Sequence, residues 1–238
     1  MIRYSSKFRS NQPEIMDDLE LQGASMKVLL NDLKRVNKWL GGQAVTLDGI
    51  EQLLLEFDSS KSLTLLDVGC GDGEMLRQCV HWASKRQIEV HVIGIDANPH
   101  ILDEAIQRSQ TIGQNSFKVM DVLSEKEELP KFDIALCTLF IHHLNETEII
   151  QLLKRLTNKA KVGVVINDLH RSRWAFWLFR IFSLVFLKTK IAKHDGLVSV
   201  ARGFKKKELK QISEKIEGQH RIQWKWAFRY QWSIKTIN

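Results

Sequence analysis

Three glycines at alternate positions, Gly69, Gly71 and Gly73, lie between Asp67 and Glu74 in the stretch Leu63-Thr-Leu-Leu-Asp-Val-Gly-Cys-Gly-Asp-Gly-Glu74. Glycine serves where a ligand or another backbone must approach closely, or where φ must be positive. A glycine turn that opens a helix is a cradle for a nucleotide-like group, because the first N–H groups of a helix have no partners of their own. Two further acids, Asp96 and Asp121, each close a short apolar run. An ionised carboxylate there can accept from two hydroxyls, or from an amino group. His142, His143 and His170 are the side chains whose proton chemistry falls near neutral pH, and so the candidates for a general base.

These residues need a scaffold, and apolar periodicity predicts one. Strand patterns cover residues 63–68, 89–95, 117–120, 132–137 and 161–166. Helical patterns follow the glycine turn, begin at Asn98-Pro99, and run from 146 to 156. Alternating strand and helix is the signature of a doubly wound parallel sheet, whose ligands bind beyond the carboxyl ends of the strands. Asp67 to Gly71, Asp96, Asp121 and residues 138–143 all fall at such ends. Residues 220–228 and 230–236 instead alternate polar and apolar, which predicts a tight antiparallel hairpin. Upstream, Met26, Leu29, Leu30, Leu33, Val36 and Leu40 form one helical stripe ended by Gly41-Gly42. A second helix is expected from about Thr46, carrying Ile50, Leu53, Leu54 and Phe57.

The turn reads G-x-G-x-G after Asp67, not G-x-G-x-x-G, and resembles motif I of the class I S-adenosylmethionine-dependent methyltransferases. The resemblance covers about residues 63–166. It implies an α/β, doubly wound, seven-stranded Rossmann-like methyltransferase sheet with an antiparallel C-terminal hairpin. It further implies an N-terminal helical cap over residues 1–58, a cofactor-binding domain over 59–238 and a lid insertion near 170–204. S-adenosyl-L-methionine is the implied cofactor. Gly69, Cys70 and Gly71 would approach its methionine portion, and either Asp67 or Glu74 would orient its ammonium. Asp96 would accept from the ribose hydroxyls, with Ala97 against the adenine. Asp121 would accept from the adenine amino group, with Val122 donating its backbone N–H, and Thr138 would close the site.

The stretch Cys137-Thr-Leu-Phe-Ile-His-His-Leu144 is similar to the loop after strand four in small-molecule methyltransferases, including quinone-pathway enzymes. It lacks the N/D-P-P-Y/F motif of many N-methyltransferases. Either His142 or His143 is a candidate base, or a structural cap. In Asn167-Asp-Leu-His-Arg-Ser172, His170 is a second base candidate, and Arg171 either holds a substrate anion or is solvated. Residues 174–187, beginning at Trp174, are apolar nearly all round but too short to span a bilayer. They read as a core helix, a lid over an aromatic or prenylated substrate, or an interfacial helix beside Lys188, Lys190 and Lys193. Asp195, Ser199 and Arg202 either return polar groups to the substrate or form a structural turn.

A chain of 238 residues with 44% apolar content can bury one sizeable core. A net charge of +7 is dispersed, with no RNA-binding motif, so nucleic acid is not the expected substrate. Cys70, Cys79 and Cys137 have no metal-ligand spacing and fit buried thiols in a cytoplasmic protein. No metal is expected, and the N-terminus does not read as a signal peptide. The whole chain resembles bacterial methyltransferases of quinone or aromatic polyketide pathways. The expectation is methyl transfer to an oxygen of a small, largely apolar acceptor, with peripheral membrane contact through 174–193 open. The alternatives are an NAD-dependent oxidoreductase, which leaves Asp121 and the hairpin unexplained, and a non-catalytic cofactor-binding protein.

Overall fold

A computed structural model describes residues 2–56, 62–113 and 115–237. Seven strands form one sheet in the order β3-β2-β1-β4-β5-β7-β6. Strands β1 (Leu63–Val68), β2 (Val90–Asp96), β3 (Asn115–Val119), β4 (Ile134–Thr138) and β5 (Gly163–Leu169) are parallel. Strands β6 (Gln219–Lys225) and β7 (Arg229–Lys235) make the expected hairpin, with β7 antiparallel to β5. The central strands read as continuous apolar runs because both their faces are covered. On one face Leu152, Leu153 and Leu156 of α5 (Glu146–Lys159) meet Leu66, Val164 and Trp232. On the other, Leu76 and Cys79 of α3 (Glu74–Ser84) meet Leu63, Leu65 and Val165. Helix α4 (Pro99–Arg108) begins where Asn98 accepts from the N–H groups of His100 and Ile101 and proline takes the first turn. All three cysteines are buried free thiols.

Before the sheet come α1 (Gly23–Trp39) and α2 (Gly42–Leu53). Leu40 and Gly41, the latter at φ +67°, turn the chain between them, so α2 starts earlier than Thr46. Phe57 lies outside the described residues. Ile50 and Leu53 of α2 belong to the same core cluster as Leu63 and Leu65. A boundary at residue 58 would therefore cut through one core. Asn167 at the end of β5 donates to the Gly42 carbonyl and to Thr46 Oγ1, and Gln231 of β7 donates to Val45 O. These bonds fix α2 against β5 and β7.

The expected lid is two helices, α6 (Arg173–Phe186) and α7 (Lys190–Arg202), followed by α8 (Lys206–Ser213). Residues 194–202 are helical, not a polar loop or turn: Asp195 and Ser199 point inward and take partners there. The core reading of 174–187 is corrected as well. Phe179 and Phe182 turn inward to Leu29, Leu187 and Ala192, while Trp174, Trp177, Ile181, Leu184 and Val185 remain exposed. Among the described residues, no helix is long and apolar enough to cross a membrane.

Candidate active site

A cavity of about 440 Å³ lies beyond the carboxyl ends of β1, β4 and β5 and beneath α1, α6 and α7. That volume suits a small-molecule ligand. Its walls are mainly apolar, including Leu33, Val36, Phe179 and Phe182, and its polar groups converge at two places.

The first is the glycine turn. Asp67, Gly69, Cys70, Gly71, Glu74 and Thr138 all line the cavity. Gly69, Gly71 and Gly73 have φ of +67°, +53° and +74°, so the spacing seen in the sequence is a run of left-handed residues. A side chain at Gly69 would collide with the Phe140 ring, whereas one at Gly71 would meet nothing within 4 Å, so the turn has open space above it. Gly71 donates to Asp96 Oδ2 at 3.0 Å and Asn98 donates to Oδ1 at 3.0 Å, which fixes the carboxylate at the tip of β2. Ala97 and Asp121 are exposed at the neighbouring strand ends, and the Val122 side chain is buried in the core. None of Asp96, Ala97, Asp121 and Val122 lines the cavity.

The two acids of the turn differ in state. Burial disfavours the charge of Glu74, but Lys34 and Arg77 outweigh it and hold the carboxyl below its usual range. Asp67 is fully buried and has Asp96 for a neighbour; burial first, then that charge, push its carboxyl up to about 8. A buried carboxyl facing a cavity without a counter-cation fits a cationic ligand, and a sulfonium and an ammonium are both cations. The residues present therefore fit the implied cofactor, with Asp67, not Glu74, as the acid left to meet its charge.

The second place is the turn Ile141–His143 after β4. His142 is 2% exposed and lies between two carboxylates: Nδ1 is 2.7 Å from Asp168 Oδ1, and Nε2 is 3.3 Å from Glu14 Oε1. Burial opposes its charge, but Asp168 and then Glu14 outweigh it and lift the imidazole to about 9. His142 is thus an imidazolium at neutral pH and has no lone pair to serve as a base. One donor atom each of Glu14, His142 and His143 lie within 4.8 Å of one another, a spacing a cation could bridge if it displaced the His142 proton.

His143 is the ring that remains. Its Nδ1 is 2.7 Å from Asp17 Oδ1, which leaves Nε2 as the proton-accepting atom, and the residue lines the cavity. Burial works against the Asp17 charge, but His143, the Glu14 N–H and Arg202 outweigh it and hold the carboxyl far below its usual range.

Both carboxylate partners on the N-terminal side come from the turn Ile15–Asp17 and the residue before it, within the stretch expected as an N-terminal cap. The segment is clasped by α7. Ile15 and Met16 donate to Asp195 at 2.9 Å each, and Ser199 donates to Glu14 at 2.8 Å. Arg202 donates to the carbonyls of His142 and His143 and to Asp17 Oδ2. The residues expected to touch substrate therefore divide. Asp195 and Ser199 line the cavity with their hydrogen bonds already committed, and Arg202 positions the histidine turn.

Three other expectations are corrected. Arg171 is fully buried, paired with Glu208 and bonded to the Gly203 carbonyl, away from the cavity. Trp174 points outward and is 73% exposed. His170 does not line the cavity. Its Nδ1 accepts from the Trp224 indole at 3.3 Å and its ring packs on Tyr230, while burial, then Lys205 and Arg171, lower its pKa.

Residues 65–163 match the family model described as methyltransferase domain. The ubiquinone biosynthesis O-methyltransferase of Rickettsia bellii (strain OSU 85-389) is 27% identical over 134 residues, covering 54% of this chain and 51% of that protein. The chain thus spans about half the length of the curated relatives it matches. Among solved structures, the plantazolicin methyltransferase BpumL in complex with SAH superposes with a TM-score of 0.65 at 16% identity, over 89% of this chain and 90% of that one. Magnesium protoporphyrin IX methyltransferase from Synechocystis PCC 6803 with bound SAM gives 0.56 at 15% identity, over 93% and 89%. The sheet order and the hairpin are those of these solved methyltransferases, and the glycine turn lies inside the stretch that matches the methyltransferase-domain model.

Proposed function

We propose that this protein transfers a methyl group from S-adenosylmethionine to a hydroxyl of a small, largely apolar acceptor such as a phenol or quinol, with His143 as general base. The observation that carries the reading is the His143–Asp17 pair, set in an apolar cavity that also opens onto the glycine turn. The likeness to a ubiquinone biosynthesis O-methyltransferase supports oxygen as the acceptor atom.

The cofactor would supply an activated methyl group on a sulfonium. Gly69, Cys70 and Gly71 would hold its methionine portion near Asp67. Asp96 would accept from the ribose, and Ala97, Asp121 and Val122 would border the adenine. The protein's own work is alignment, exclusion of water and handling of one proton. A phenol has an unperturbed pKa of about 10, so at neutral pH it reacts faster when a base removes its proton. His143 Nε2 accepts that proton, and Asp17 stabilises the imidazolium so formed while fixing the tautomer. His142, charged throughout, braces the turn between Asp168 and Glu14. Apolar walls keep water, a competing nucleophile, away from the site.

The test is calorimetric titration with S-adenosylhomocysteine, with NADH as control, followed by turnover on a panel of phenols and quinols. His143→Ala should lower kcat roughly 10²- to 10⁴-fold, the usual contribution of a positioned base, with unchanged S-adenosylhomocysteine affinity. His170→Ala should leave kcat within about twofold. Undiminished turnover by His143→Ala would overturn the base assignment, and binding of NADH alone would overturn the whole reading.

A further inference from the structure

Helix α6 is apolar on both faces, and only the inner one has a partner. Trp174, Trp177, Ile181, Leu184 and Val185 recur at helical spacing on the outer face, each more than half exposed. Trp39 of α1 extends the face, packing edge-on against Phe186 at 4.9 Å. A soluble surface seldom leaves so large a contiguous apolar patch bare unless something docks there.

Charge identifies the occupant. Residues 173–193 contain Arg173, Arg180, Lys188, Lys190 and Lys193 and no acid. The only carboxylates on α1 and α7, Asp32 and Asp195, are buried and turned inward. Along α6 and its link to α7 the apolar stripe is thus bordered by cations alone. A second copy docking on this face about a two-fold axis would bring that fringe against itself, cation to cation. A bilayer carrying anionic headgroups offers the complement of both features: acyl chains for the stripe and negative charge for its border.

We infer that the outer face of α6 is a docking surface for an anionic lipid bilayer, in which the helix lies in the interface plane. The cavity mouth belongs to the same surface. Leu178, 52% exposed, and Trp226, 75% exposed, both line the cavity. Docking sets that opening at headgroup depth, so that, on the methyltransferase reading, the acceptor is an amphiphile drawn from the lipid phase.

The experiment is sedimentation of the full chain with vesicles of pure phosphatidylcholine and of phosphatidylcholine with one-third phosphatidylglycerol, alongside tryptophan emission. The protein should partition onto the anionic vesicles with a blue shift. Ile181→Glu/Leu184→Glu should reduce partitioning at least tenfold. Lys188→Ala/Lys190→Ala/Lys193→Ala should reduce it by about fivefold per lysine. All variants should keep wild-type affinity for S-adenosylhomocysteine, which separates docking from the cofactor site. No partition, or equal partition onto neutral vesicles, would overturn the inference. So would a dimer in solution that the Ile181→Glu/Leu184→Glu variant dissolves while vesicle binding is absent.

Discussion

His142 and His143 are neighbours in the chain, with ring centroids 4.2 Å apart, yet their surroundings give them opposite work. His142 has an acid on each side and stays charged; His143 has one and lines the cavity. The raised pKa of His142 is also a statement about stability. In the unfolded chain it titrates near 6.5 and in the folded protein near 9. The extra stability is full below about 6.5, declines above it and is lost as pH rises through 9. Its size is on the order of a few kcal/mol. Urea denaturation across pH 6 to 10 should show this decline, and His142→Asn should flatten it.

Asp67 sets a second pH dependence, this time of binding. Because burial holds its carboxyl protonated up to about pH 8, a cationic ligand that ionises it must displace a proton. S-adenosylmethionine binding at pH 7 should therefore release about one proton, read as a dependence of the calorimetric enthalpy on buffer ionisation enthalpy. Affinity should rise towards pH 8 and level off above it. In Asp67→Asn both effects should vanish, with affinity reduced about tenfold.

At the scale of elements, the parallel strands and α5 were legible because apolar runs and helical periodicity are local properties. So were the glycine turn and the hairpin. Helix α7 was not. Gly196, Asp195 and Ser199 have loop-like chemistry, and they are tolerated in a helix because Phe179 packs against the glycine while the N-terminal segment bonds the other two. The roles of Glu14 and Asp17 were equally hidden, since nothing near them in sequence names their partners.

Arg171 shows how a residue type misleads. An arginine at a strand end suggests a substrate anion, but here the guanidinium ties β5 to α8 through Glu208. Only the guanidinium is fully buried, since the Glu208 side chain is 31% exposed, so its removal costs hydrogen bonds to a charged group and does not strand a buried charge. Arg171→Ala should cost about 1.5–3 kcal/mol of stability in denaturant melts, with no selective rise in acceptor KM. The hairpin turn makes a smaller test. Ala227 and Phe228 hold φ of +58° and +55° without a glycine. Ala227→Gly should stabilise the protein by about 0.5–1 kcal/mol, the relief of the left-handed conformation less the entropy glycine adds. A thermal melt would read it.

At the scale of the whole molecule, the site is a layer between two structures. The sheet edge brings the glycine turn, the histidine turn and Asp168. The helices α1, α6 and α7 roof it and bring the apolar walls. Polar bonds join the two layers at the rim, as where buried Arg229 of β7 donates to Asn37 of α1. Sequence reading found the lower layer almost whole and the upper layer only as apolar helices. Which polar groups the roof would commit depended on pairings across nearly the full chain.

Those pairings have a kinetic side. The bonds from Ile15 and Met16 to Asp195 span 180 and 179 residues, among the longest closures in the chain. Contacts of that separation carry a large loop-closure entropy and form only after intervening structure has shortened the effective loop. A segment held by a few hydrogen bonds and little buried apolar surface also belongs to the low-stability end of the opening hierarchy. The Asp17 partner of His143 is therefore docked after the sheet that carries the histidine and released before that sheet melts. A nascent chain still tethered at residue 190 would lack the Asp195 clasp on this segment, and on the proposed function mild denaturant should silence turnover while the sheet keeps its circular dichroism.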